Sequence, residues 1–474
     1  MDIEGFKKLV KKYEPLHAAF VNEALTGGRY YRNGSDILFG KKKEDAEGNA
    51  LRNADNRIPR NFHGLLVNQK ASYAFTVPPL LDAGDAGTNQ YIMETLGDMY
   101  TKNCMELCIN AANTSVGWVH YWTDEKGGFC WAVVESTQVI PVWDKSLERK
   151  LLGVLRVYDE TEEETGDNYV IYEYWTDTCC QAYRRRAADT VENGMQFYGM
   201  FTGPSGGEKA AEYQHGMGEV PFIPFFNNNI HSSDLRNIKK LVDVYDKVYS
   251  GFINDLDDVQ EIILVLSGYG GTELDGFLQD LKKYKTISLD GDKDENAGVS
   301  TLNIEIPVEA RNTVLEMTRK AIFEQGQGFD PQPEKFGNQS GEALKFMYSL
   351  LEMKTGLTET EFRTGFSKLV RAICRHKGIK CSTVNQTWTR TRIRNDAELV
   401  QMCRDSEGVI SRRTILKNHP FVTDVEEELK QMEKERKEAE EKADVYQDAF
   451  VAGTDGSSKE TEAGNNKNGK NKDS

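Results

Sequence analysis

The sequence predicts an α+β fold, because three kinds of patterning follow one another along it. Between Val116 and about residue 198 apolar residues recur at alternate positions, the period of half-buried strands. At 234–260 and 341–376 they recur every three or four residues, the period of amphipathic helices. A short mixed stretch, 262–306, separates the first of these helices from a further one at 307–325. With 474 residues, 39% of them hydrophobic, the chain is long enough for roughly two to four domains.

Residues 1–33 read as a helix, with Leu9, Tyr13, Leu16 and Phe20 at helical spacing, and then a polar loop. Residues 34–57, rich in Gly, Lys, Asp and Asn, read as a long exposed loop. A helix is expected over 57–75, with Phe62, Leu65, Leu66, Gln69 and Tyr73 along one side. Pro78-Pro79 ends it, since proline cannot continue the hydrogen-bond ladder. Another helix spans about 89–113. Val116, Trp118, His120 and Trp122 open the strand block, continued near 129–134, 138–143, 151–158, 168–176, 179–186 and 190–198 as one antiparallel region that Pro221 and Pro224 close. The helix at 234–260 is about 40 Å long at 1.5 Å per residue. In 262–306, strands are expected at 262–266, 286–289 and 299–306, with a turn at 268–271 and a helix at 273–284. Gly326, Gly328, Pro331, Pro333 and Gly337 break the chain into a loop. The helix at 341–376 contains Gly356 and Gly365, expected as bend points. A strand-like patch at 382–393 precedes helices near 396–406, 411–417 and 425–442, and the polar end from about 453 is expected to be disordered.

Charge narrows the function. The net charge is −16, whereas a protein that grips DNA phosphates over its whole surface is normally basic. The chain therefore avoids DNA or meets it through a few local cations. Eight cysteines in so long a chain are no disulfide framework and read as reduced thiols. The first residues lack the apolar core of a signal peptide, and no run of about 18 apolar residues suggests a membrane span. There is no Walker-type phosphate loop, nucleophile elbow or HExxH pair, so neither enzyme chemistry nor a cofactor is expected. Asp290, Asp292 and Asp294 imitate the start of a calcium loop, but Glu295 stands where its glycine belongs and Thr301 where its bidentate Glu belongs. Cys374, His376 and Cys381 lack a second ligand pair at zinc spacing, so no metal is expected. Cys104 and Cys108, one helical turn apart, read as core, and His63, His120 and His215 belong to no triad pattern.

Several segments together carry a resemblance. They are Asn56-Arg57-Ile58-Pro59-Arg60-Asn61-Phe62-His63 with Leu66-Val67-Asn68-Gln69-Lys70, then Val220-Pro221-Phe222-Ile223-Pro224-Phe225-Phe226-Asn227-Asn228 and Ser233-Asp234-Leu235. Leu264-Val265-Leu266-Ser267-Gly268-Tyr269-Gly270-Gly271, Ser340-Gly341-Glu342-Ala343-Leu344-Lys345, Ile410-Ser411-Arg412-Arg413-Thr414 and Pro420-Phe421-Val422-Thr423-Asp424 with Glu426-Glu427-Glu428 continue it. Over roughly 30–440 the chain resembles the portal (head–tail connector) proteins of tailed bacteriophages, of the type common in siphophages of Gram-positive hosts.

The resemblance implies a portal-type fold: an α/β wing over 1–232, stem helices at 233–261 and 307–325, a small α/β clip at 262–306, a tunnel loop at 326–340, a long bent helix at 341–376 and a helical crown at 377–442, then a disordered tail. It implies a dodecameric homo-oligomeric ring at one capsid vertex of the virion, assembled in the host cytoplasm. Double-stranded DNA would pass through it without base readout. Its partners would be the terminase large subunit, then head–tail adaptors, with scaffold and major capsid proteins around it. The clip surface offered to terminase and adaptors would carry Tyr269, Glu273, Asp275, Lys282, Lys283, Asp290, Asp292, Lys293 and Asp294. Candidate tunnel cations are Lys335, with Arg319, Lys320 and Lys345 near the loop's ends, beside the polar Gln332, Asn338 and Gln339. One lysine per subunit becomes a ring of charge, and an otherwise acidic lining lets DNA slide, since affinity scales with the phosphates neutralised.

On periodicity alone other readings stay open. The loop at 326–340 reads first as a solvated helix–helix connection, and 234–260 reads equally as an arm or coiled-coil dimer. The corresponding functions are a coiled-coil scaffolding protein of the virion and a nucleic-acid-processing enzyme; the latter needs a carboxylate cluster or phosphate loop, and neither stands out.

Overall fold

The computed structural model describes residues 1–41, 54–202, 209–259, 263–267, 298–302, 307–331, 348–390, 396–422 and 424–454. These form two compact units, one made of the described residues up to 331 with 348–390, the other of those from 396 onward.

The first unit begins with helix α1 (Ile3–Tyr31), whose first turn is capped by the Asp2 carboxylate accepting from the Gly5 amide at 2.9 Å. Helix α2 (Phe62–Phe75) starts later than residue 57, because Arg57–Asn61 runs extended through Pro59 and the Asn61 side chain caps the Gly64 amide at 2.9 Å. Ten of its 14 residues are buried, so α2 is a central helix and not an amphipathic one. The stretch at 89–113 is two helices, α3 (Ala86–Leu96) and α4 (Tyr100–Thr114), separated at Gly97, whose φ of +68° lies in the left-handed region glycine favours.

The strand block divides into two sheets. Strands β4 (Val139–Trp143), β5 (Leu151–Thr161), β6 (Asn168–Trp175) and β7 (Cys179–Arg186) form an antiparallel meander. Short strands β8 (Gln196–Phe197) and β9 (Glu212–Gln214) pair with β7. The strand expected at 190–198 is thus a single helical turn, α5 (Val191–Gly194), followed by two strand residues. Phe6 of α1 stacks on Tyr183 of β7 with centroids 3.7 Å apart, which seats α1 on this sheet.

The second sheet has the order β10-β2-β3, with β2 (Val116–Thr123), β3 (Phe129–Val134) and β10 (Phe222–Phe226). The proline-rich segment expected to close the strand block is therefore itself a strand. Pro224 is tolerated because β10 is an edge, where a missing amide leaves no ladder bond unmade. A further pair joins β1 (Leu80–Asp82) to β13 (Asn385–Thr387), which is the regular part of the patch expected at 382–393 among its described residues, 382–390.

Helix α6 (Lys239–Val259) begins five residues after Asp234, residues 234–238 forming turns. Helix α7 (Val308–Gln325) opens after Pro307, as expected. Between them β11 (Ile263–Ser267) and β12 (Gly298–Leu302) pair antiparallel; the turn, helix and further strand expected there lie outside the described residues. Helix α8 (Ser349–His376) runs unbroken through both of its glycines. Gly365 has another reason: a Cβ there would sit 2.5 Å from the Phe225 ring, so the helix can approach β10 only without a side chain. Phe75, Phe225, Phe362 and Phe366 join the main core at this contact.

The second unit holds α9 (Asp396–Asp405), α10 (Arg412–Asn418) and α11 (Val425–Thr454). Ser411 caps α10, and Asp424 caps α11 by accepting from the Glu426 and Glu427 amides at 2.8 and 3.1 Å. Helix α11 runs beyond the expected end at 442; the tail from 455 lies outside the described residues.

Candidate functional site

Helices α6 and α7 are rooted in one apolar cluster, where Leu235, Ile238 and Val242 meet Ile322 and Phe323 beside Phe62 and Leu66 of α2. Arg311 of α7 forms an ion pair with Asp255 of α6, tying the pair farther along. Away from the root, apolar residues stay exposed: Met317 by 68%, with Val244, Leu256, Val308 and Val314 also open.

A polar stripe on α6 fixes the segment in front of α2. Asp246, Ser250 and Asn254, four residues apart, accept the backbone amides of Arg60 (2.9 Å), Ile58 (3.0 Å) and Asn56 (2.6 Å). Four residues of helix advance about 6 Å, close to two residues of extended chain, so the two periods match. Asp246 is fully buried and also accepts from the Ser35 hydroxyl. Burial pushes its carboxyl up to about 6.

Where α7 ends, the chain is held against α2. Gln69 donates to the Phe329 carbonyl at 2.6 Å and accepts from its amide at 3.0 Å. Gly326 and Gly328 press against Leu66, which a Cβ at either position would strike. Phe329 and Tyr348 stack with centroids 5.0 Å apart, which brings the end of the α7 segment beside the start of α8.

Beneath this point sits a buried charge centre. Lys70 of α2 and Lys354 of α8 place their ammonium groups 3.3 and 3.0 Å from the Asp234 carboxylate, with side chains 1%, 9% and 7% exposed respectively. Asn227 donates to Asp234 at 2.8 Å and accepts from Lys70, and Lys354 also donates to the Gly326 carbonyl at 2.9 Å. Burial opposes ionisation of Asp234, but Lys354, Lys70 and Asn227 outweigh it and hold the carboxyl well below its ordinary range. Burial lowers the Lys354 ammonium, with Asp234 working against the shift. Nearby His63 bonds Asn113 at 2.8 Å, and burial pushes it down to about 4, leaving a neutral imidazole at neutral pH.

Of the expected tunnel cations, two are described. The Arg319 guanidinium is engaged within the chain, bonding both Asp330 oxygens at 2.6 and 3.2 Å and lying over the Phe323 ring, so it anchors the start of the loop. Lys320 is 78% exposed, loosely paired with Glu324 at 3.7 Å. Lys335, Lys345, Gln332, Asn338 and Gln339 lie outside the described residues, as do the clip candidates Tyr269, Glu273, Asp275, Lys282, Lys283, Asp290, Asp292, Lys293 and Asp294. The charge centre and the amide-binding stripe were not anticipated. The available signal was an acid, a serine and an asparagine spaced by four along the helix at 239–259, and a lysine inside the buried α2.

Comparison with known proteins bears on the whole chain. Residues 10–442 match the family model described as phage portal protein, SPP1 Gp6-like. The portal protein of Clostridium phage phiCD119 is 39% identical over 463 residues, 94% of this chain and 99% of that protein. The portal protein of Bacillus phage SPP1 is 30% identical over 450 residues, 92% of this chain and 86% of that one. Among solved structures, a chain from the virion of a native gene transfer agent particle aligns with 10% identity and a TM-score of 0.42, over 74% of this chain and 88% of its own. A chain from the neck of an empty gene transfer agent particle aligns at 10% and 0.43, over 75% and 89%. The family match, spanning nearly the full length and joined by two relatives at 30% identity or more, establishes that the chain belongs to the SPP1 Gp6-like phage portal protein family and is a portal subunit of a bacteriophage virion.

Proposed function

We propose that twelve copies close into a ring at one capsid vertex, through which double-stranded DNA is packaged and ejected. Portal proteins form ring oligomers in the head–tail neck, and the observation that supports this arrangement here is the set of large apolar residues that the α6–α7 pair leaves exposed. A lone subunit leaves Met317, Val314, Val308, Val244 and Leu256 in water; a neighbour related by a closing rotation covers them. In this reading α6 and α7 are the stem, 262–306 the clip that meets the terminase large subunit and then head–tail adaptors, and 326–340 the tunnel loop. The two-sided anchorage at Phe329 and Tyr348 suits a loop that reaches into the channel from a fixed base. Lys335 contributes one positive charge per subunit at that loop, and Lys320 a second, against a subunit of net charge −16. The chain itself hydrolyses no nucleotide; the docked motor supplies the energy.

Negative-stain images of the purified chain test the proposal. Rings with a central hole are expected, disrupted in Met317→Glu, which sets a charge into the covered face. Rods or single compact particles from the wild type overturn it, and ATP hydrolysis by the pure ring overturns its passive part.

A further inference from the structure

Two patches of opposite charge lie at opposite ends of the larger sheet. The first is a groove of about 320 Å³ between the β4–β5 turn and the exposed side of α8, with Trp143, Phe222 and Pro224 among its lining. Arg149 and Lys150 enter it from the turn and Lys368, Arg371 and Arg375 from the helix, at spacings of three and four that put them on one side. Its carboxylates are Glu148 and Glu219, so cations outnumber them by five to two. In a chain of net charge −16 this is a local reversal of sign.

The second patch is the β5–β6 turn. Asp159, Glu160, Glu162, Glu163, Glu164 and Asp167 fall within nine residues without a lysine or arginine among them. Arg184 and Arg186 on β7 balance Glu162 and Asp167 at 3.4 and 2.9 Å, while Glu163 and Glu164 are exposed at the tip. Strand β5 joins the two patches, beginning at Leu151 beside the groove and ending at Thr161 in the acidic turn. Its 11 residues put the patches roughly 35 Å apart, at about 3.4 Å per residue. A subunit cannot satisfy its own groove with its own tip across that span. A head-to-tail ring requires different, complementary surfaces on opposite sides of each subunit.

We infer that the basic groove of one subunit receives the acidic β5–β6 turn of the next copy in the ring. This rests on the ring assembly proposed above and names one of its contacts. The contact sets register and speeds association more than it adds affinity, because exposed charges are screened and oppositely charged patches steer encounter. The neighbouring apolar contacts of the helix pair hold the ring once it has closed.

The test uses two charge-reversed full-length chains. One carries Glu163→Lys and Glu164→Lys, the other Lys150→Glu, Lys368→Glu and Arg371→Glu; all five side chains are exposed, and circular dichroism and melting should match the wild type. At low salt each variant alone should form rings about tenfold more slowly, or worse, because steering of this kind changes association rates by roughly 10–1,000-fold. Mixed in equal amounts, the two should assemble at close to the wild-type rate. Around an alternating ring the lysine tip of one then meets the glutamate groove of the other at every second contact, the native tip and groove meet at the rest, and native mass spectrometry should find rings with equal numbers of each. Rings from either variant alone at the wild-type rate, or folded variants whose mixture assembles no faster than they do, overturn the inference while the wild-type ring stands. A wild-type chain that forms no ring overturns the underlying assembly instead.

Discussion

Removing the Asp234 carboxylate should be among the most damaging single changes in the chain. Asp234→Asn keeps the shape but leaves two ammonium groups, Lys70 and Lys354, buried with no counter-charge, where they now stand 3.3 and 3.0 Å from the anion. At an effective dielectric constant of about 20, one such contact corresponds to roughly 5 kcal/mol of Coulomb energy. Part of that offsets desolvation, so breaking a buried pair by removing one partner costs about 3–5 kcal/mol net. Lys354→Met acts in the opposite sense on the charge balance. It leaves a matched Lys70–Asp234 pair; the lost contact with Asp234 is offset by the desolvation that Lys354 no longer incurs, and the bond to the Gly326 carbonyl goes, so its cost is about 1–2 kcal/mol. The double variant should be more stable than Asp234→Asn alone, since one stranded cation has gone. Urea unfolding followed by tryptophan fluorescence, with all four proteins compared at one pH, measures the order. Asp234→Asn within about 0.5 kcal/mol of wild type, or Lys354→Met costing more than Asp234→Asn, would refute the reasoning.

Two buried groups should give pH slopes of opposite sign. Asp246, raised to about 6 from an ordinary 3.8, binds its proton more tightly in the folded chain, so stability present at low pH is lost as pH rises through about 6. The swing is about 3 kcal/mol, and Asp246→Asn should flatten the profile between pH 4 and 7 in unfolding experiments. His63, lowered to about 4 from 6.5, contributes stability present above 6.5 that disappears as pH falls toward 4, again by about 3 kcal/mol; His63→Gln should remove that limb. Gly365→Ala forces a methyl to within 2.5 Å of the Phe225 ring and should cost about 1–3 kcal/mol, read as a lowered melting temperature. Gly356→Ala, where a Cβ meets nothing, should be neutral or slightly stabilising by the same measurement.

What could be read in the sequence follows from where the physics is local. The apolar periods at 239–259, 308–325 and 349–376 announce their helices because each buries a stripe, and the strands from Val116 to Arg186 are marked by dense apolar and aromatic residues, although β2 is buried on both faces and so does not alternate cleanly. Strand β10 was hidden by its prolines, harmless only because the sheet happens to end there, a fact of tertiary pairing. The division at Gly97 was missed because a left-handed residue leaves no periodic mark. The charge centre was invisible for another reason. Lys70, Asp234 and Lys354 lie far apart in the chain, and a lysine in a helix ordinarily reads as solvated surface. Yet Lys70 and Asp234 fall inside two of the segments that carry the portal resemblance, and Asn56–Asn61, bound by the α6 stripe, is a third. Those segments therefore have a physical role in fixing the root of the α6–α7 pair, the end of α7 and α8 to one another.

The central claim is that the exposed helix pair finds its cover only on sister subunits. Native mass spectrometry of the purified full-length chain tests it most directly. A dominant species at twelve times the 53.6 kDa subunit is the predicted result. A 53.6 kDa monomer persisting at high protein concentration and low salt would contradict it.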